Sequence, residues 1–178
     1  FLVDGDTPGL TAGAKEHKMG FRLSDTTEVV LENVRVPRSA VIGEVGCGMS
    51  IALNALNLSR AFISTLAVGI MQRALDEAVA YAKQRKQFGK RLIDFEMVQQ
   101  MLADMAIKTE AARVLVNNCM RQMDAGEMVR KDGAIVKTFV TDAMQEVVSN
   151  AVQVLGGYGY SEEYPVEKLM RDAKIFQI

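Results

Sequence analysis

The stretch that decides the fold is residues 61–71, which read AFISTLAVGIM. Wound as an α-helix, this stretch is apolar on nearly every face, which is typical of a helix at the centre of a bundle. It is shorter than the roughly 20 apolar residues that a bilayer span needs, and Ser64 and Thr65 interrupt it. We therefore predict a central bundle helix and expect no membrane span.

Helical patterns continue on both sides of this stretch. The three prolines are Pro8, Pro37 and Pro165, so no proline breaks a helix between residues 38 and 164. The apolar pattern predicts helices over residues 49–83, 95–124, 127–155 and 166–176. Long helices joined by short connections predict a mainly α fold, an up-down four-helix bundle.

The residues before the bundle have a different character. Residues 26–37 are rich in β-branched side chains and end at a proline, which predicts a strand, and residues 1–3 are apolar and resemble the middle of another. Because two or three strands make only a marginal sheet, we assign residues 1–40 to the C-terminal end of a β-domain. Residues 41–46 form the predicted linker, and residues 47–178 form the predicted helical domain.

Composition excludes several classes of protein. The chain has 178 residues, of which 49% are hydrophobic and 24% charged, with a net charge of -1. This composition supports a packed core and is unlike that of a disordered chain. Without a basic excess to neutralise phosphates, we expect no nucleic-acid partner. His17 is the only histidine, and Cys47 and Cys119 lie far apart, so we expect no metal site.

The motif RKQFGK at residues 85–90 has two interpretations. Cations followed by a glycine are typical of the C-terminus of a helix, where they complement the helix dipole. Alternatively, the planar guanidinium of Arg85 grips a diphosphate and Phe88 packs beside a ring. The glycines of residues 156–159 (GGYG) likewise read as a helix stop, because they lack the lysine of a phosphate-binding P-loop.

Seven stretches, taken together and in order, resemble the acyl-CoA dehydrogenase family over essentially the whole chain. They are residues 6–9 (DTPG), 19–26 (MGFRLSDT), 34–37 (VRVP), 85–90 (RKQFGK), 102–106 (LADMA), 153–159 (QVLGGYG) and 164–174 (YPVEKLMRDAK). The last of these takes the form found in the medium-chain branch of the family.

The resemblance implies a fold and a reaction. Residues 1–40 would be the last strands of a middle β-barrel domain, and residues 47–178 most of a C-terminal helical domain. The family uses FAD to oxidise a fatty acyl-CoA to a trans-2-enoyl-CoA in fatty acid β-oxidation, and passes the electrons to an electron-transferring flavoprotein. It is usually a homotetramer, a dimer of dimers, located in the mitochondrial matrix of eukaryotes or the cytoplasm of bacteria.

The resemblance also assigns residues to roles. The family's catalytic Glu would lie just beyond Ile178, and the alternative position on the first helix holds Ser59, so no catalytic base is expected within these residues. The positions matching FAD contacts, made to the cofactor of a neighbouring subunit, are Arg85, Phe88, Gln153, Leu155, Gly156 and Gly157.

The resemblance also assigns two contacts to the substrate and one altered contact to FAD. Asn57 and Arg60 match positions where the first helix meets the CoA moiety of the substrate. Glu96 occupies a position where the family usually has a glutamine that contacts FAD, and a carboxylate there would repel a diphosphate. We expect the 178-residue chain alone to be inactive. The alternative function is a non-catalytic helical module for interaction or assembly that kept the bundle.

Overall fold

The computed structural model describes residues 1–178 and is mainly α-helical. Its elements are strands β1 (Leu10–Ala12) and β2 (Val29–Leu31), helix α1 (Gly48–Gln84), strands β3 (Lys86–Gln87) and β4 (Lys90–Arg91), and helices α2 (Glu96–Asp124), α3 (Arg130–Leu155) and α4 (Val166–Gln177). Short 3-10 turns span Arg38–Ala40, Leu92–Asp94 and Gly156–Tyr160. The predicted fold class, four helices preceded by a few short strands, is confirmed.

The chain divides into two compact units, Phe1–Leu56 and Asn57–Ile178, and the boundary falls inside α1. In the first unit, β1 pairs antiparallel with β2, with Leu10 opposite Leu31. The strand predicted over residues 26–37 therefore exists but is shorter. The strand predicted at residues 1–3 is wrong: the Leu2 N–H donates to the Ala40 carbonyl at 2.8 Å, and no ladder forms there. The domain bounds inferred from the sequence stay a prediction.

Small side chains line the buried stripe of α1 in the second unit. Alanine recurs along it at spacings of six, seven, four and four residues, and all of these alanines are fully buried: Ala61, Ala67, Ala74, Ala78 and Ala82. Small side chains let neighbouring backbones approach closely. At Gly133 of α3, an added Cβ would lie 3.3 Å from the Asn57 carbonyl oxygen of α1. Larger spaces are filled by the buried methionines Met71, Met105 and Met144, whose flexible side chains suit irregular gaps.

The opposite face of α1 is apolar as well but exposed. Phe62 and Leu66 keep 53% and 54% of their surface accessible. The prediction that residues 61–71 lie at the centre of the bundle is therefore wrong within this chain, whose own helices cover only the alanine stripe. By length and composition alone, α1 is long and apolar enough to cross a bilayer, and 22% of its most apolar 18-residue window is buried. The core helices of soluble proteins pass the same test, so a single such helix is weak evidence for a membrane span. The expected absence of a span stays a prediction.

Polar contacts connect the helices of the second unit. Arg113 of α2 donates to Gln72 of α1 at 2.6 Å. Lys108 of α2 pairs with Glu146 of α3 at 2.6 Å. The hydrogen bonds that the Lys108 ammonium donates to Asp104 and, with a smaller effect, to Glu146 raise its pKa. Such bonds between partly exposed groups contribute little stability each, so hydrophobic burial is the main force that holds these helices together.

Candidate functional site

A tight hairpin follows the C-terminus of α1. Strands β3 and β4 are antiparallel with Gln87 opposite Lys90, so Phe88 and Gly89 form a two-residue turn. Both turn residues have positive φ, 53° for Phe88 and 81° for Gly89, as a type I′ turn requires. This conformation is costly for a bulky residue, and the Phe88 ring is nonetheless 92% exposed. The hairpin therefore presents an aromatic ring outward at its tip.

Hydrogen bonds fix the base of this hairpin. The Arg85 N–H donates to the Tyr81 carbonyl at 2.9 Å, and the Leu92 N–H donates to the Arg85 carbonyl at 2.9 Å. Arg91 donates from both its backbone and its guanidinium to the Asp94 carboxylate. The side-chain hydrogen bond from Arg91 lowers the pKa of Asp94. Arg85 is thus placed between the end of α1 and the first strand of a well-defined hairpin.

A second turn ends α3 at the predicted glycines. Gly156 has φ 60° and ψ -135° and caps the helix, and an added Cβ at either Gly156 or Gly157 would meet no atom within 4 Å. Gly159 differs, because a Cβ there would lie 2.4 Å from the Val152 carbonyl oxygen. The turn is therefore packed closely on one side and leaves an exposed, side-chain-free backbone on the other.

These two segments line one open cavity of about 670 Å³. Of the predicted FAD contacts, the cavity brings together Arg85, Leu155, Gly156 and Gly157. Leu155 is itself buried. Phe88 and Gln153 are exposed but do not line it.

Three tyrosines lie beside Arg85, and the sequence analysis did not predict a role for them. The Tyr81 and Tyr164 rings meet edge to face with centroids 5.6 Å apart, and the Tyr158 ring lies 5.7 Å from Tyr164 and 6.4 Å from Tyr81. The Arg85 guanidinium carbon lies 5.8 Å from the centroid of the Tyr158 ring. Desolvation by burial, chiefly, raises the pKa of Tyr81. Tyr81 precedes Arg85 by four residues, a spacing that places the two side chains on one helix face. This spacing could have identified Tyr81 as a neighbour of Arg85 from the sequence.

The arrangement fits an anionic diphosphate. The Arg85 guanidinium makes no hydrogen bond or ion pair within the chain, so its donors remain available, and the glycine turn in the same cavity admits close approach. Glu163 also lines the cavity, and its carboxylate opposes an anion there. Glu96 is the first residue of α2 and is exposed, where a carboxylate complements the helix dipole.

The remaining candidates lie elsewhere. On α1, Arg60 Nη1 donates to Asn57 Oδ1 at 2.9 Å, so the two predicted substrate contacts touch each other but do not line this cavity. His17 is exposed, and no group of three His, Cys, Asp or Glu side chains is placed to hold a metal ion. The roles assigned to all these site residues stay predictions.

The chain is thus a helical bundle in which an unpaired guanidinium and a glycine turn line one cavity. The family model described as acyl-CoA dehydrogenase, C-terminal domain, matches residues 46–178. The chain therefore belongs to the acyl-CoA dehydrogenase family, as its sequence motifs predicted. Members of this family are FAD-binding flavoproteins, which confirms FAD as the expected cofactor.

Relatives share both sequence and structure with this chain. The probable acyl-CoA dehydrogenase FadE25 of Mycobacterium bovis is 48% identical over all of this chain and 46% of its own length. The caffeyl-CoA reductase-Etf complex subunit CarC of Acetobacterium woodii is 42% identical over all of this chain and 47% of its own. Butyryl-CoA dehydrogenase of Megasphaera elsdenii superposes with a TM-score of 0.97 at 46% identity, covering 99% of this chain and 46% of that one. The chain thus spans about half the length of these relatives.

Proposed function

We propose that the full-length gene product is an FAD-dependent acyl-CoA dehydrogenase, and that this chain supplies part of its FAD site. The observation that carries the proposal is the unpaired Arg85 guanidinium in one cavity with the Gly156 and Gly157 turn. A guanidinium binds a phosphate through two parallel hydrogen bonds, and glycine backbone admits the phosphate oxygens closely.

The proposed reaction removes the α-proton of an acyl-CoA thioester, together with a β-hydrogen, to give a trans-2-enoyl-CoA. When bound, FAD accepts the β-hydrogen as a hydride. The α-proton is weakly acidic, so its removal requires a carboxylate base and hydrogen bonds to the thioester carbonyl. We assign no base within residues 1–178. The part of this chain is to hold the cofactor through Arg85 and, by the resemblance, to contact CoA through Asn57 and Arg60.

We also propose a homotetramer in which FAD sites are shared between subunits. Two features support this assembly. The exposed apolar face of α1, with Phe62 and Leu66, is a surface that another subunit would cover. The Phe88 ring projects from its hairpin and does not line this chain's own cavity, which agrees with a contact to the cofactor of a neighbouring subunit.

We also propose a substrate, an electron acceptor and a cellular location for the full-length protein. We favour a straight-chain fatty acyl-CoA of medium length in fatty acid β-oxidation, on the motif at residues 164–174. Electron-transferring flavoprotein is the proposed acceptor, supported by the relative named as a subunit of an Etf complex. The named relatives are bacterial, which favours the cytoplasm over the mitochondrial matrix.

The test is purification of the full-length gene product, followed by flavin absorbance and assays with straight-chain acyl-CoAs of increasing length. We expect stoichiometric FAD and oxidation that is fastest at medium chain length, with electron-transferring flavoprotein as acceptor. A protein that retains no flavin and oxidises none of the substrates would support the alternative, a non-catalytic assembly module.

A further inference from the structure

The Arg85 guanidinium lies over the ring of Tyr158. Its guanidinium carbon lies 5.8 Å from the Tyr158 ring centroid, within the distance at which a cation is attracted to an aromatic face. No carboxylate of the chain pairs with it. Because arginine has several freely rotating bonds, an unpaired side chain would otherwise sample many conformations.

The Tyr158 ring is itself held by its neighbours. It lies on the short turn that follows α3 and is 45% exposed, so burial alone does not fix it. The rings of Tyr81 and Tyr164 lie 6.4 Å and 5.7 Å from it, and 5.6 Å from each other. These three residues, which we call the tyrosine triad, connect the end of α1 to the glycine turn and to the start of α4.

From this arrangement we infer that Tyr158 is a positioning residue that orients the Arg85 guanidinium for the FAD diphosphate. The inference rests on the proposed function. An aromatic face attracts the cation without occupying its N–H donors, whereas a carboxylate would consume two of them. The triad therefore restricts Arg85 and leaves its hydrogen-bonding capacity for the cofactor.

The competing explanation is that the triad only packs the end of the bundle. A double-mutant cycle in the full-length gene product separates the two explanations. The dissociation constant of FAD is measured by titrating apo-protein with FAD and following flavin fluorescence. The proteins are wild type, Arg85→Ala, Tyr158→Leu, Tyr158→Phe and the Arg85→Ala/Tyr158→Leu double variant. Tyr160→Leu is the control, because Tyr160 is exposed and its ring pairs with no other aromatic ring.

We expect Tyr158→Leu to weaken FAD binding about two- to fivefold, the range for a partly exposed cation–π contact. Tyr158→Phe keeps the aromatic face and should retain wild-type affinity. In the Arg85→Ala background, Tyr158→Leu should have no further effect. Thermal unfolding of each variant shows that it is folded at the temperature of the titration. If Tyr158→Leu fails to fold, Tyr158→Met fills the same space without a ring and takes its place.

Two results overturn the inference and leave the proposed function intact. One is wild-type affinity in Tyr158→Leu alongside a loss in Arg85→Ala. The other is an equal loss from Tyr158→Leu in both backgrounds, which would show that the ring acts independently of Arg85. Unchanged FAD affinity in Arg85→Ala is a different outcome, because it removes the proposed cofactor site and the inference with it.

Discussion

Gly159 packs so closely under the end of α3 that a Cβ at this position would lie 2.4 Å from the Val152 carbonyl oxygen. Backbone cannot move aside as a flexible side chain can. The glycine therefore fixes the distance between α3 and the turn that carries Gly156, Gly157 and Tyr158.

Substitution of Gly159 by alanine would place a methyl group in this contact. Gly159→Ala should lower the free energy of unfolding by about 1–3 kcal/mol, the usual cost of overpacking. Thermal and urea unfolding measure it. Gly157→Ala is the matched control, because a Cβ there meets open space and φ is not positive, so its stability should stay near wild type. Equal stability of the two variants would contradict the assigned packing.

Arg85→Ala should weaken FAD binding about ten- to hundredfold, because it removes charge-assisted hydrogen bonds of about 1.5–3 kcal/mol. Fluorescence titration of the apo-protein measures the loss. Lys86→Ala is the control: Lys86 is the next residue, also cationic and exposed, but does not line the cavity. A comparable loss in Lys86→Ala would mean that general positive charge, rather than Arg85, attracts the cofactor.

Met71→Ala should destabilise the bundle by about 2–5 kcal/mol through the cavity left in the core. Met71 is fully buried on α1, whereas Met97 on α2 is 79% exposed. Met97→Ala should therefore leave the unfolding midpoint almost unchanged. The prediction fails if both substitutions have the same small effect.

The two cysteines should differ in reactivity towards a thiol reagent. Desolvation by burial, with a smaller effect of Asp132, raises the pKa of Cys119, and the residue is buried, while Cys47 is exposed. A raised pKa means less thiolate at any given pH below it, and thiolate is the reactive form. Peptide mapping after labelling at pH 8 should find Cys47 modified in native protein and Cys119 only after denaturation. Fast labelling of native Cys119 would contradict its burial.

Substitution of the exposed α1 face should disrupt the proposed tetramer. Phe62→Asp/Leu66→Asp introduces charges where a subunit contact would have to desolvate them, so sedimentation velocity should show smaller species. Val114→Asp, at another exposed apolar position, is the control and should sediment as wild type. An unchanged assembly in the double variant would place the contact elsewhere.

The helices were predictable because their apolar spacing and the absence of proline are local signals. The exposure of Phe62 was not predictable, because residues 61–71 are apolar on most faces. The apolar pattern does not show which of these faces is buried by other helices of the same chain. At the site, Arg85 and Gly156 were found through motif resemblance. Their meeting in one cavity depends on how the ends of α1 and α3 lie together, which spacing along the chain does not encode.

The tyrosine triad shows the same limit. Tyr81 and Arg85 share a helix face and were accessible to sequence reasoning. Tyr158 and Tyr164 come to them only through the turn after α3, which depends on the Gly159 contact. Local signals thus predicted the elements and the motif residues, and tertiary packing supplied the neighbours that surround them.

The hairpin tip has a consequence for engineering and evolution. Asn or Gly would adopt the positive φ of Phe88 more readily than phenylalanine does, so a screen for heat resistance alone would favour replacing it. The same replacement would delete the one ring that the hairpin presents outward. On the proposed role of Phe88 as a flavin contact, selection for thermostability and selection for flavin retention therefore favour different residues at this position.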